Sequence, residues 1–286
     1  MHTNNYIYMK KHSIKTHKIR IGDISIAYHL KESVVSNSPV ILFLHGFPFN
    51  KNMWRPQLEA LDDNITGIAV DIRGHGLSTA GHGFFSIDCF AKDLLAFIKK
   101  LNIEKAILCG ISMGGYIALR AQELFPEYIS GLILCDTHSK ADNNLMKVKR
   151  FDSIQALLLH GRRPFAMGFV QNVFGQKTLR ESSSAIDLIK SSIRRNNLNN
   201  ICSTLLALAS RTDTTDTLQH IDVPTLLIRG AEDKITAKAD MQEMEKKIKN
   251  AVYIEINEAG HLPNLEATDE FNKLVQNFIQ ENITTD

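Results

Sequence analysis

Ser112 lies in Gly110-Ile111-Ser112-Met113-Gly114, a G-x-S-x-G string that directly follows the apolar run Ala106-Ile107-Leu108-Cys109. Glycine at both ends of such a string leaves room for a sharp turn from a buried strand into a helix, and the turn holds the serine hydroxyl clear of the backbone. The string alone is common, but placed between a strand and a helix it points to a nucleophile. A serine hydroxyl attacks poorly at neutral pH unless a base takes its proton and a third group orients that base. Two downstream stretches offer these groups. Asp233 follows the run Thr225 to Gly230 in Gly230-Ala231-Glu232-Asp233, and His261 follows the run Ala251 to Ile256 in Glu258-Ala259-Gly260-His261-Leu262-Pro263. Both sit just past strand-like runs, at the sheet edge where open α/β folds bind ligands. Among eleven histidines, position singles out His261, in a short loop with Gly260 for backbone freedom, between the last strand and the last helix. Asp136, after the run ending at Cys135, and Glu232 stand as alternative acids to Asp233.

Attack on a carbonyl creates an oxyanion that two convergent backbone N–H groups can hold. Met113, next after the nucleophile, offers one. Phe47, in Leu44-His45-Gly46-Phe47-Pro48 directly after the run Val40 to His45, offers the other.

Positioning these groups requires a sheet with helices between its strands. Strand-like runs occur at Val40 to His45, Gly67 to Asp71, Lys105 to Gly110, Gly131 to Cys135, Thr225 to Gly230 and Ala251 to Ile256. An antiparallel pair, His17 to Ile21 and Ile24 to His29, precedes them. The later runs are continuously apolar, as strands buried on both faces are, and alternate with helical segments, so a mostly parallel sheet is predicted. Ile87, Phe90, Leu94, Leu95, Ile98 and Leu101 share one helix face that Ser86 can cap. Further helices are predicted from Met113 or Gly114 to near Phe125, and from Leu265 to about Ile279. Between Thr137 and Thr217 the alternation fails and helical spacing takes over, as in Ile186, Ile189 and Ile193. This reads as a helical cap, residues 137–217, inserted in a core of 1–136 and 218–286. Its apolar residues, among them Leu157, Leu158, Phe165, Met167, Phe169, Val170 and Phe174, predict packing onto another surface.

The 286 residues are 44% hydrophobic and 22% charged, which excludes a disordered or fibrous chain, and the net charge of +2 gives no broad attraction to nucleic acid or an anionic membrane. Cys89, Cys109, Cys135 and Cys202 lack C-x-x-C spacing and read as buried free thiols, with no metal or disulfide framework. Residues 1–11 lack the apolar run of a secretory signal and read as a solvated tail. A cytoplasmic protein acting on a small molecule, without cofactor or metal, is expected.

Together His45-Gly46-Phe47, Asp71-Ile72-Arg73-Gly74-His75-Gly76-Leu77-Ser78, the Ser112 string with Gly115, Gly230 to Asp233 and Gly260-His261 resemble the α/β-hydrolase superfamily. The resemblance spans roughly Ile19 to Ile279. Ser-Met-Gly-Gly and His261-Leu-Pro-Asn-Leu-Glu266 bring it nearest to small carboxylesterases, 3-oxoadipate enol-lactonase-like and cofactor-free haloperoxidase-like proteins. It implies an eight-stranded α/β core with a helical cap between strands six and seven, and structural roles for Asp71, Arg73 and His75. Epoxide hydrolases and haloalkane dehalogenases place aspartate where Ser112 stands, which argues against both. The expected activity is cleavage of a small carboxylic ester or lactone through an acyl-enzyme. The alternatives are carbon–carbon cleavage of a vinylogous diketone, or a ligand receptor that retains the three residues.

Overall fold

The computed structural model describes residues 13–283; the expected tail lies outside them. Eight strands form one sheet: β1 (Lys15–Ile21), β2 (Ile24–Lys31), β3 (Val40–Leu44), β4 (Thr66–Val70), β5 (Ala106–Ile111), β6 (Ile129–Cys135), β7 (Thr225–Gly230) and β8 (Ala251–Ile256). Their spatial order is β1-β2-β4-β3-β5-β6-β7-β8. β1 and β2 pair antiparallel, as does β2 with β4, and the remaining neighbours are parallel. The predicted runs match these strands to within two residues at each end. All residues of β5 and β7 are buried, as expected where helices cover both faces.

The helices are α1 (Arg55–Ala60), α2 (Ile87–Lys100), α3 (Met113–Leu124), α4 (Asn144–His160), α5 (Arg162–Val173), α6 (Gln176–Arg180), α7 (Ser184–Arg195), α8 (Leu198–Ala209), α9 (Lys238–Lys247), α10 (Pro263–Glu266) and α11 (Thr268–Asn282). Alternation along β5 divides the core. Ala106 and Leu108 pack with Phe97 and Ile98 of α2 and Ile117 of α3. Ile107, Cys109 and Ile111 face the other way, toward Trp54, Leu58 of α1 and Phe271 and Val275 of α11. Ser86 caps α2 by accepting the Cys89 N–H at 3.0 Å. The helix predicted from Leu265 is two helices, because Ala267 (φ −130°, ψ 56°) leaves helical geometry. The short α1 and the polar α9 escape prediction because neither carries a long apolar stripe.

Helices α4 to α8 all fall between β6 and β7. α4 packs on α8 and α5 on α7. Leu157, Val170 and Phe174 are buried and Phe165 and Phe169 half-buried, whereas Leu158 and Met167 of the expected packing set are exposed. Of the four thiols, Cys109 and Cys135 are buried; Cys89 and Cys202 are half-buried, and all four are free. Among the described residues no helix is long and apolar enough to cross a membrane.

The loop after β4 is tied down by buried charge. Asp71 accepts from the Lys51 amide (2.7 Å), the Lys51 ammonium (2.6 Å) and the Leu77 amide (2.8 Å). Arg73 forms paired bonds with Asp23 and Asp93 at 2.7 to 2.9 Å, a fork geometry that fixes both partners.

Candidate active site

The turn between β5 and α3 holds Ser112 at φ 53°, ψ −114°, a left-handed backbone that costs a non-glycine residue free energy and is kept only where its surroundings enforce it. The enforcement is visible. The Ser112 N–H donates to Cys135 O at 2.9 Å and its carbonyl accepts from Thr137 Oγ1 at 2.9 Å. A Cβ at Gly110 would meet the backbone of Gly114 and Gly115, and one at Gly114 would meet the Leu44 carbonyl. The crossing of strand and helix is therefore as tight as the glycine spacing implies. Ser112 remains half-buried.

Beyond the ends of β7 and β8 the two partner residues meet. His261 Nδ1 donates to Asp233 Oδ2 at 2.9 Å, with both side chains almost wholly enclosed. Asp233 also accepts from the Ile235 N–H (2.8 Å) and the Thr236 N–H (3.2 Å). Burial pushes its carboxyl up, but the contact and hydrogen bond with His261, the Ile235 amide and Asp136 outweigh this and leave it below the ordinary carboxylate value. Of the rival acids, Glu232 bonds the Gln176 amide at 2.6 Å, and Asp136 accepts from the Gly230 amide at 3.0 Å. Among the described residues Ser112 Oγ has no hydrogen bond to His261. Such contacts are often long without substrate and tighten when it binds.

Phe47 and Met113 are buried, and among the described residues neither amide has an acceptor within the protein. Buried N–H groups rarely go unpaired, so these two are donors free to serve a bound oxygen. Edge-on rings of Phe165 and Phe169 from α5 lie over Phe47, with centroids 6.5 and 6.1 Å away.

Three further residues hold this framework; sequence reading assigned no role to Glu266 or Asn196 and expected a structural one for His75. Glu266 accepts from the Gly260 and Leu262 amides (2.9 and 3.2 Å), which flank His261, and from the Gly175 amide (2.7 Å) beyond α5. The His261 N–H itself donates to Val173 O at 2.8 Å. Asn196, between α7 and α8, donates to Pro48 O (2.8 Å) and Phe49 O (3.3 Å) and accepts from the Gly76 amide (2.8 Å). His75 faces Thr204 of α8 at 3.5 Å. Glu266 carries a signal in the sequence, lying five residues after His261. Asn196 carries none, because its partners are about 120 to 148 positions away.

Metal-capable groups converge once among the described residues: Asp136, Asp233 and His261 place ligand atoms within 4.8 Å of one another. His261 Nδ1 already bonds Asp233 there, and a cation would have to displace that bond.

A family model described as alpha/beta hydrolase fold matches residues 39–268. The chain is 29% identical over 241 residues to 3-oxoadipate enol-lactonase 2 of Acinetobacter baylyi, covering 84% of this chain and 88% of that protein. It superposes on a thermophilic esterase from Thermogutta terrifontis with TM-score 0.87 and 28% identity, covering 93% of this chain and 98% of the other. The enol-lactonase of Burkholderia xenovorans LB400 superposes with TM-score 0.85 and 25% identity, covering 92% of this chain and 100% of the other. With the family match spanning most of its length and an eight-stranded sheet of the same architecture, the chain belongs to the α/β-hydrolase fold family.

Proposed function

We propose that this protein is a serine hydrolase that cleaves a small carboxylic ester or lactone through an acyl-enzyme. The observation that carries the reading is the buried His261–Asp233 hydrogen bond of 2.9 Å, at the same sheet edge as the strained Ser112 turn. With Nδ1 donating to Asp233, the neutral imidazole presents Nε2 as its basic atom. His261 takes the Ser112 proton as Oγ bonds to the substrate carbonyl carbon, and the free amides of Phe47 and Met113 receive the oxyanion. Collapse of the tetrahedral intermediate breaks the bond to the leaving alkoxide, which takes the proton from His261 and departs as the alcohol. Water then attacks the acyl group with His261 again as base, and the acid leaves as Ser112 regains its proton. In a lactone the alcohol and the acid belong to one product.

Helices α4 to α8 act as the cap in this reading, and the rings of Phe165 and Phe169 against Phe47 favour an apolar acyl portion. Relatives named as enol-lactonase and esterase support the ester and lactone class. The test is hydrolysis of short p-nitrophenyl esters and of simple lactones, with Ser112→Ala as blank. Turnover should fall by about 10⁶ in that variant. Turnover that survives the substitution would overturn the reading.

A further inference from the structure

Asp136 follows β6 in a left-handed backbone, φ 43°, and is fully enclosed. Its backbone is clamped on both sides. The Asp136 N–H donates to Ile228 O at 2.9 Å, and its carbonyl accepts from Thr236 Oγ1 at 2.9 Å. Oδ1 accepts from the Gly230 amide at 3.0 Å. Oδ2 is buried and receives no N–H or O–H from any described residue, and one oxygen of the Asp136 carboxylate lies within 4.8 Å of ligand atoms of Asp233 and His261.

Two carboxylates this close in a buried site cannot both be ionised without a cation between them, so the pair holds a proton. The hydrogen bonds decide which carboxylate keeps it. Asp233 receives three donors, from Ile235, Thr236 and His261. Asp136 receives one, on Oδ1, which leaves Oδ2 without a donor. A buried ionised carboxylate oxygen without a donor is costly, whereas a protonated one becomes a donor and finds an acceptor in Asp233. We propose that Asp136 is a neutral carboxylic acid whose Oδ2–H donates to the Asp233 carboxylate, making it a positioning residue for the acid that orients His261. Burial and the Asp233 charge both hold the Asp136 carboxyl well above the usual range.

The titratable and charged groups around the pair leave this assignment intact. His261 is already bonded to Asp233. Arg229 of β7 directs its guanidinium to the carbonyls of Thr236, Ala231 and Asp233 and to Glu255, not to either carboxylate of the pair. Cys135 and Tyr116 are both pushed toward their neutral forms by burial, and burial and Glu255 do the same to Tyr253. The carboxylate pair therefore carries a single negative charge opposite His261.

The inference rests on the proposed role of Asp233, and the experiment separates the two. Infrared difference spectra between Asp136→Asn and the unaltered protein at neutral pH should show loss of a protonated-carboxyl C=O stretch, a readout that needs no substrate. Absence of that loss overturns the inference even if the esterase reading stands. In kinetics, Asn supplies an N–H in place of the O–H, so Asp136→Asn should keep kcat within about threefold and leave the acid limb of the pH profile in place. Asp136→Ala removes the donor and should lower kcat roughly ten- to a hundredfold at nearly constant KM. Were Asp136 ionised instead, removing its charge in Asp136→Asn would lower the pKa of the His261 base and move the acid limb to lower pH. That shift would overturn the proposal.

Discussion

Asp233 is pulled in two directions, since burial raises the cost of its charge while His261, two backbone amides and the neighbouring Asp136 favour it. The charged form prevails, and this gives the residue its value, because an anionic acceptor fixes the imidazole with its proton on Nδ1. Asn at this position keeps the shape but can present an N–H to the ring and favour the wrong tautomer. Asp233→Asn should therefore lower kcat by about 10⁴ with little change in folding, as steady-state hydrolysis and far-ultraviolet circular dichroism can show. A loss under tenfold would mean that another group orients His261. The residues of the proposed triad were legible because each lies at the end of an apolar run, where β-strand period and chain order can be read directly. Asp136 was also visible as a candidate, but as a rival to Asp233. That the two lie together, with different hydrogen-bond partners, depends on β6 and β7 being neighbours, and no local pattern in the sequence carries that adjacency.

Loops joined across the sheet edge set how well those residues are held. Glu266, at the end of α10, ties three amides together: two flank His261 and the third belongs to Gly175. Replacing it by Ala strands those N–H groups in a largely buried place, at a cost of about 1 to 3 kcal/mol for each that water does not reach. Glu266→Ala should lower the melting temperature and loosen His261, so that kcat falls while KM changes little; calorimetry and steady-state kinetics read the two effects. A second tie runs through Asn196, which grips the Pro48 and Phe49 carbonyls just after Phe47. Asn196→Ala should cost roughly 1 to 3 kcal/mol of stability. On the proposed mechanism it should also lower kcat, since the Phe47 amide loses its support; unchanged kcat would show that the loop holds its shape without the helical segment. The strands and the long amphipathic helices were legible from period alone. The seam between core and inserted helices was not, because it is built from side-chain to backbone bonds between distant segments, and helical period says which face is apolar but not what it meets. The Ala267 break, which divides one predicted helix into α10 and α11, was hidden for a similar reason: alanine favours helix, and the surrounding fold overrides it.

Among the described residues, burial makes a positive charge unwelcome on His29, which it holds below its ordinary value, and on three further histidines. Burial holds His75 and His138 down to about 4 and His45 well below its ordinary value. The bonding agrees for the first and last of these. His45 Nε2 accepts from the Ile72 N–H at 3.0 Å, so its proton sits on Nδ1 toward Gly46 O, and His75 Nδ1 bonds Arg73 O at 3.0 Å. Each is thus neutral when folded, and the His45 and His75 rings stand edge to face at 5.1 Å. In the unfolded chain these side chains titrate near the ordinary value of about 6.5. Between that pH and about 4 the unfolded state binds more protons, so stability falls as the pH is lowered through this window, by up to about 1.4 kcal/mol per pH unit for each histidine. Asp93, Asp136 and Glu266, whose folded values are raised by burial, act with the opposite sign, and the net slope mixes the two groups. A single substitution isolates one histidine. Gln at position 75 is neutral at every pH, so His75→Gln should make the unfolding free energy less steep between pH 6.5 and 4.5 by up to about 1.4 kcal/mol per unit, whatever constant offset the lost packing adds. Denaturant unfolding at a series of pH values measures that slope. Parallel curves for the two proteins would mean that His75 is already charged in the fold, and the buried ring could not then be the acid-sensitive joint between the loop after β4 and Thr204 of α8.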